Sequence, residues 1–231
     1  MNQQNIWELK GSQLIRQIKR AEVVKQMLKH SKAKLILDIG CAEGFVTNYL
    51  SQQHAQVIGV DIDQSLKTAK NKVKNASFIY ASITHLPFKE ETFEAVTLLE
   101  ILEHLPDTSI DEGITEVNRV LKSGGTLIVS VPYKEKITYI RCIHCGKLTP
   151  LWGHIQRFDE NKLKSILPQN YAQAEKKHLP NVELISCHKL LGKLPPTIWL
   201  IINNILGLIR KGYWIILKYQ KCWNTRKPSK A

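Results

Sequence analysis

The chain lacks several features that would each have placed it in a different class. No apolar stretch reaches the roughly 20 residues a spanning helix needs; the longest candidate, 197–209, is 13 residues and should not span. The first 20 residues hold no apolar core followed by a small-residue cleavage site, so they do not read as a secretory signal, and a cytoplasmic protein is expected. Cysteines number five, an odd count that without an export signal argues for reduced thiols or metal ligands rather than a disulfide framework. No internal repeat and no separate RNA-binding module is visible.

Acidic residues are absent after Glu183, and this makes the net charge of +13 uneven. Residues 1–34 hold eight Lys/Arg against two Glu, and residues 184–231 hold nine against none. The ends therefore carry +6 and +9, which leaves −2 for residues 35–183. Basic ends on a near-neutral body suggest contact with an anionic surface, either phospholipid headgroups or nucleic acid. Solubility is the plainer explanation of the same charge.

What is present is length for one core, at 231 residues and 43% hydrophobic. Helical spacing runs over 6–30 (Leu14, Ile15, Ile18, Val23, Val24, Met27, Leu28) and predicts a leading helix against the body. Strands are predicted at 34–39, 57–60, 77–80, 93–99 and 126–131, with helices near 45–53, 64–73 and 109–121. Alternation of this kind implies βαβ units and a doubly wound α/β sheet. Lys122-Ser-Gly-Gly reads as the stop of the last of these helices. Further on, a helix near 160–167 and strands at 182–186 and 213–217 are predicted, with an apolar helix over 195–211 that lies in a membrane interface or covers the domain.

The strongest local signal is Leu35-Ile-Leu-Asp-Ile-Gly-Cys-Ala-Glu-Gly-Phe45, a buried strand entering a glycine-bearing turn that opens a helix. Gly40 permits a tight turn, and Gly44 lets the next helix start close beneath a ligand. A second piece, Val57-Ile-Gly-Val-Asp61, ends a strand on an acid able to accept hydrogen bonds from both hydroxyls of a ribose. The glycines run G-x-x-x-G rather than the G-x-G-x-x-G of pyrophosphate sites, and Glu43 inside the loop disfavours a phosphate. A nucleoside carrying a sulfonium and an ammonium would instead be helped by Asp38 and Glu43.

These pieces, with Leu86-Pro-Phe88, the stretch 93–105 and Val120-Leu-Lys-Ser-Gly-Gly-Thr126, resemble the class I S-adenosylmethionine-dependent methyltransferases over residues 34–133. The resemblance implies a Rossmann-like seven-stranded, mostly parallel sheet with helices on both faces and the last strand antiparallel. It implies S-adenosyl-L-methionine held by Asp38, Gly40 and Gly44 at its methionine part and by Asp61 at its ribose, with Cys41 also among the cofactor-binding residues. Ile62 would pack on adenine, Ser82 and Ile83 would meet its edge, and Leu99 would complete the site. Ala42 and Ser82 depart from the Gly and Asp found in many relatives, and Ser is the weaker acceptor for the exocyclic amine.

On the acceptor side, Glu100, Glu103 and His104 stand at i, i+3, i+4 spacing and could share one helical face. The spacing resembles the ExxEH of ubiquinone-pathway O-methyltransferases and small-RNA 2′-O-methyltransferases, where a downstream His completes a divalent-metal site. Here Gly153-His154 lies 50 residues on, in a context similar to the ubiquinone enzymes. Two readings follow: a metal on Glu100, Glu103, His104 and His154, or a pocket in which Glu103 and His104 act without metal. Cys142-Ile-His-Cys145 offers a rival use of His154 as a zinc ligand, with His144, Cys187 or His188 as a fourth. The expected domains are a helix over 1–33, a methyltransferase domain over 34–221 with a Cys/His insertion at 134–158, and a basic tail over 222–231. The expected function is O-methylation of a small-molecule or lipid-linked acceptor, peripheral to an anionic membrane. An RNA methyltransferase and a non-catalytic adenosylmethionine-binding protein are the alternatives.

Overall fold

The computed structural model describes residues 6–29, 31–52, 56–179, 193–195, 198, 201–202 and 214–223. A 3-10 turn, Ile6–Glu8, precedes helix α1 (Gly11–Lys29), and then strands and helices alternate. They are β1 (Leu35–Ile39), α2 (Phe45–Ser51), β2 (Gln56–Asp61), α3 (Leu66–Lys72), β3 (Ser77–Tyr80), β4 (Phe93–Leu99), α4 (Asp107–Val120) and β5 (Leu121–Pro132). A small hairpin of β6 (Tyr139–Arg141) and β7 (Leu148–Pro150), then α5 (Glu160–Ser165), β8 (Tyr171–Leu179) and β9 (Trp214–Lys221), follow.

Seven strands form one sheet in the order β3-β2-β1-β4-β5-β9-β8. The first five run parallel and β9 is antiparallel to both neighbours, as the resemblance implies. The continuous apolar runs of the central strands follow from burial on both faces. Leu37, Ile39, Leu127, Val129, Ile215 and Leu217 pack toward Ile110, Ile114 and Val117 of α4, in the larger core cluster. Their alternates Ile36, Ile128 and Ile216 pack toward Val23, Val24, Met27 and Leu28 of α1. Period-two alternation thus builds three layers, and α1 closes one of them.

The sequence reading is corrected at four places. Helix α4 ends at Val120 because Leu121 is already extended, and Lys122-Ser-Gly-Gly bulges out of the β4–β5 pairing instead of capping the helix. β5 accordingly begins five residues earlier than predicted, in the sense that Leu121 already pairs with Phe93. β8 escaped notice because Gln173, Glu175 and two lysines obscure its alternation, as suits an outer edge strand kept polar against further pairing. β9 runs on to Lys221, past the predicted 217. The predicted strand at 182–186, and most of the apolar helix at 195–211, lie outside the described residues.

Candidate active site

The order of the sheet reverses between β1 and β4, so their carboxyl ends open a crevice, the usual ligand position in a doubly wound sheet. Four of the sequence-predicted residues, Asp38, Gly40, Gly44 and Asp61, lie at this edge. Gly40 (φ +69°) turns the chain out of β1, and Gly44 (φ +76°) starts α2, both in the left-handed region glycine tolerates. A Cβ on Gly40 would stand 2.4 Å from Ile101 Cδ1, which shows how closely the loop meets the segment after β4.

Four of the five backbone N–H groups over residues 40–44 are already occupied. Those of Gly40 and Cys41 donate to the Val60 carbonyl at 2.7 and 3.2 Å, and that of Gly44 to the Cys41 carbonyl at 2.8 Å. The Ala42 N–H donates to Asp61 Oδ2 at 2.8 Å. A phosphate cradle needs such donors free. The loop therefore suits a ligand without phosphates, in agreement with its acidic content. Asp61 Oδ1 also accepts from the Asp63 N–H at 2.9 Å. The carboxylate is aimed by two backbone bonds and retains lone pairs for a diol. Beside it Ile62, 76% exposed, offers an apolar face for a planar base. These observations fit adenosylmethionine.

Asp38 is buried beneath, its two oxygens accepting from Thr47 Oγ1 and Thr97 Oγ1, each at 2.6 Å. Burial raises its pKa, and the two hydroxyls and Arg20 oppose the rise. Four other expectations need correction. Cys41 points into the cluster of Leu66, Ala69, Val73 and Phe78, so only its backbone lines the loop, and burial pushes its thiol pKa up. Ile83 is buried in the larger core cluster, and Leu99 is buried in the cluster facing α1, so their side chains are committed to packing. Glu43 turns from the crevice to accept the Ile6 N–H at 2.6 Å, while the Trp7 indole donates to its carbonyl at 2.9 Å. Ser82 Oγ lies 2.9 Å from Thr84 Oγ1 and accepts the Thr84 N–H.

Past β4 the shared helical face does not form. Ile101 is followed by a single 3-10 turn, Leu102–His104, and Glu100 is left-handed at φ +57°. Glu100 accordingly turns away, accepting from Ser130 Oγ at 2.5 Å and facing Arg20 of α1 at 3.6 Å. It is not in the donor cluster. Glu103, His104 and His154 are, with one ligand atom from each lying within 4.8 Å of the others.

The loop carrying His154 is pinned to Glu103 itself, whose carbonyl accepts the Ile155 and Gln156 N–H groups at 2.8 and 3.1 Å. His104 Nδ1 lies 3.2 Å from the Gly153 carbonyl, and His154 Nδ1 lies 2.5 Å from Glu135 Oε2. A carbonyl can only accept, so His104 Nδ1 carries the proton and its Nε2 keeps a lone pair. Glu135 orients His154 in the same manner. Glu103 is 1% exposed, and neither carboxylate oxygen has a partner. Burial, with Glu100 next in effect, raises its pKa well above the ordinary value of 4.5. Burial and His154 lower that of His104.

His154 belongs to this cluster, and among the described residues it shares no ligand group with Cys142 and Cys145. Glu135, Arg20, Thr47, Thr97 and Ser130 were not legible beforehand. Each acts by meeting a partner remote in sequence, and no motif spacing announces that.

Residues 37–129 match the family described as a methyltransferase domain. A protein of Methanocaldococcus jannaschii that bears no assigned activity is 35% identical over 205 residues, 87% of this chain and 85% of that one. A ubiquinone biosynthesis O-methyltransferase of Coxiella burnetii is 32% identical over 117 residues, 48% of this chain and 49% of that one. A solved Burkholderia thailandensis 1,6-didemethyltoxoflavin-N1-methyltransferase, with bound 1,6-didemethyltoxoflavin and S-adenosylhomocysteine, shares the fold at TM-score 0.60. It is 14% identical, with 90% of this chain and 79% of that one covered. The chain spans about half the length of the first curated methyltransferases it matches. By its matched domain, its relatives and its sheet, the chain belongs to the class I S-adenosylmethionine-dependent methyltransferase family.

Proposed function

We propose that this chain transfers the methyl group of S-adenosylmethionine to an oxygen of a small-molecule or lipid-linked acceptor, with a divalent cation on Glu103, His104 and His154. The observation that carries the cation is the unpartnered, buried Glu103 carboxylate beside two imidazoles whose Nδ1 atoms are both engaged. An unpaired carboxylate so placed costs several kcal/mol by order of magnitude, and a cation removes that cost. When bound, the cation would polarise an acceptor hydroxyl and lower its pKa. Methyl transfer from a sulfonium is an in-line displacement, so the chain contributes alignment and exclusion of water. Asp61, Ile62 and the 40–44 loop hold the nucleoside, and Ile101, which packs on Gly40, immediately precedes the 3-10 turn that carries Glu103 and His104. Glu103 and His104 are the residues that face the acceptor.

The oxygen acceptor is supported by the cluster and by the ubiquinone-pathway relative, whose name describes an O-methyltransferase. Residues 34–221 form the methyltransferase domain in this reading, with 1–33 as its packing helix and 222–231 as a tail. No helix among the described residues is long and apolar enough to cross a membrane. A peripheral contact is proposed on the basic C-terminal segment, where Trp223 is 75% exposed. RNA is the weaker acceptor, because no separate RNA-binding module is visible in the sequence, and part of the end charge available to any anionic surface is spent internally. Lys19 bonds Glu22 and the Leu194 carbonyl, Arg20 faces Glu100, Lys218 bonds the Met27 carbonyl, and Lys221 bonds those of Asn118 and Leu121.

The test is incubation of the purified protein with methyl-labelled adenosylmethionine and fractionated extract, with and without chelator. Label in a small-molecule or lipid fraction, lost on chelation and in His104→Ala, supports the reading. Label that appears only on RNA, or that persists unchanged in chelator, removes the acceptor or the cation respectively. Flotation with anionic and neutral liposomes checks the surface contact, and equal recovery with both would end it.

A further inference from the structure

The 40–44 loop holds three residues in the left-handed region, and one of them, Ala42 at φ +46°, lacks a glycine's tolerance for it. A conformation of this kind persists only where the surroundings over-determine it. One hold is the bond from the Ala42 N–H to Asp61. Others come from the 3-10 turn Ile6–Glu8 that precedes α1. The Ile6 N–H donates to Glu43 Oε2 at 2.6 Å, and the Trp7 indole N–H donates to the Glu43 carbonyl at 2.9 Å. The turn thus grips Glu43 by its side chain and by its backbone. The Trp7 ring also meets Phe45 edge-on, with centroids 5.4 Å apart, and packs on the cluster that contains Cys41. Contacts therefore fall before, at and after the strained residues.

We propose that Glu43 and Trp7 are positioning residues for adenosylmethionine: the turn before α1 clamps the 40–44 loop in its strained form, and Glu43 serves that clamp instead of meeting the cofactor's positive charges. The inference rests on the cofactor site alone and not on the acceptor or the cation proposed above. Its route is short, because Glu43 follows Ala42, whose N–H aims Asp61. With Glu43 gripped by the turn, Ala42 cannot relax without breaking a bond, and Asp61 stays aimed at the ribose. Without the clamp the loop spreads over other conformers, and apparent affinity falls with the fraction that remains competent. The two possible roles of the Glu43 carboxylate differ in what glutamine can replace. A Gln amide oxygen still accepts a backbone N–H, but it supplies no Coulomb attraction to a sulfonium or an ammonium.

The test measures binding of adenosylmethionine and of adenosylhomocysteine, whose sulfur is uncharged, by calorimetry on the full chain and its Trp7→Phe, Glu43→Ala and Glu43→Gln variants. Amide hydrogen exchange over residues 40–45 is followed in the same proteins without ligand. Trp7→Phe, which keeps a ring against Phe45, and Glu43→Ala should each weaken both ligands alike by roughly three- to tenfold, the worth of one hydrogen bond. Both should speed exchange over 40–45 while β1 and β4 stay slow, which shows the loop loosening and not the fold. Glu43→Gln should bind both ligands as the wild type does. A loss in Glu43→Gln equal to that in Glu43→Ala, or one confined to adenosylmethionine, overturns the proposal and returns the carboxylate to the cofactor's charge. Unchanged affinity in Trp7→Phe and Glu43→Ala overturns it too, as does faster exchange spread through β1 and β4, which would make the turn a prop of the whole sheet.

Discussion

Asp61 and Glu103 are opposite cases of one residue type, and their surroundings decide what each does. Asp61 is held by two backbone N–H bonds and stays open to a ligand, so Asp61→Ala should cost adenosylmethionine affinity by at least about tenfold, the worth of one charge-assisted bond. Calorimetry checks this, and Asp61→Asn separates the ribose contact from the bracing of Ala42, since its amide keeps one acceptor oxygen. Glu103 has a raised pKa, so the native apo-protein binds protons that the unfolded chain has released. Its stability therefore falls as pH rises above the ordinary glutamate value of 4.5. Glu103→Gln should make the apo-protein more stable at pH 7 to 8 by roughly 1–3 kcal/mol, with the gap closing toward pH 4. Thermal melts across pH measure it. Added divalent cation should raise the wild-type melting temperature and leave that of the variant unmoved.

Elements place these residues by close approach. Gly59 in β2 lies against the back of the 40–44 loop, and a Cβ there would stand 2.7 Å from Phe78 Cδ1 and 2.8 Å from Cys41 Sγ. Gly59→Ala should cost about 1–3 kcal/mol by overpacking, and should weaken cofactor binding because Cys41 must move with the loop. Denaturant unfolding and calorimetry read the two effects, and an unchanged midpoint would show that Phe78 yields freely. The β1, β2 and β4 strands and their loop were legible because local periodicity and glycine position are the same signal that burial demands. The edge strand β8 was not, since an edge is selected for polarity as much as for pairing. The 3-10 turn at Leu102–His104 also escaped, because the i, i+3, i+4 pattern it mimics belongs to a helix the chain never enters.

Across the whole molecule, α1 and the acceptor side are joined by Arg20. Its guanidinium faces Glu100 at 3.6 Å and lies 5.4 Å from the Trp214 ring. Glu100 is shielded and its pKa is raised by burial, with Arg20 opposing. Arg20→Met should destabilise the protein by up to about 3–5 kcal/mol, and adding Glu100→Gln should restore much of the loss. A double-mutant cycle on unfolding free energy measures the coupling, and additive losses would refute it. The sequence by itself determined the doubly wound sheet, the glycine turn and the acid after β2, because each depends on residues within one turn or one strand of each other. Only the tertiary structure decided that Glu100 leaves the donor set for Arg20, that Glu135 orients His154, and that Lys19, Arg20, Lys218 and Lys221 spend their charge inside. Those outcomes rest on side chains from distant segments meeting in a site of low dielectric, where one partner changes what a carboxylate or an imidazole can do.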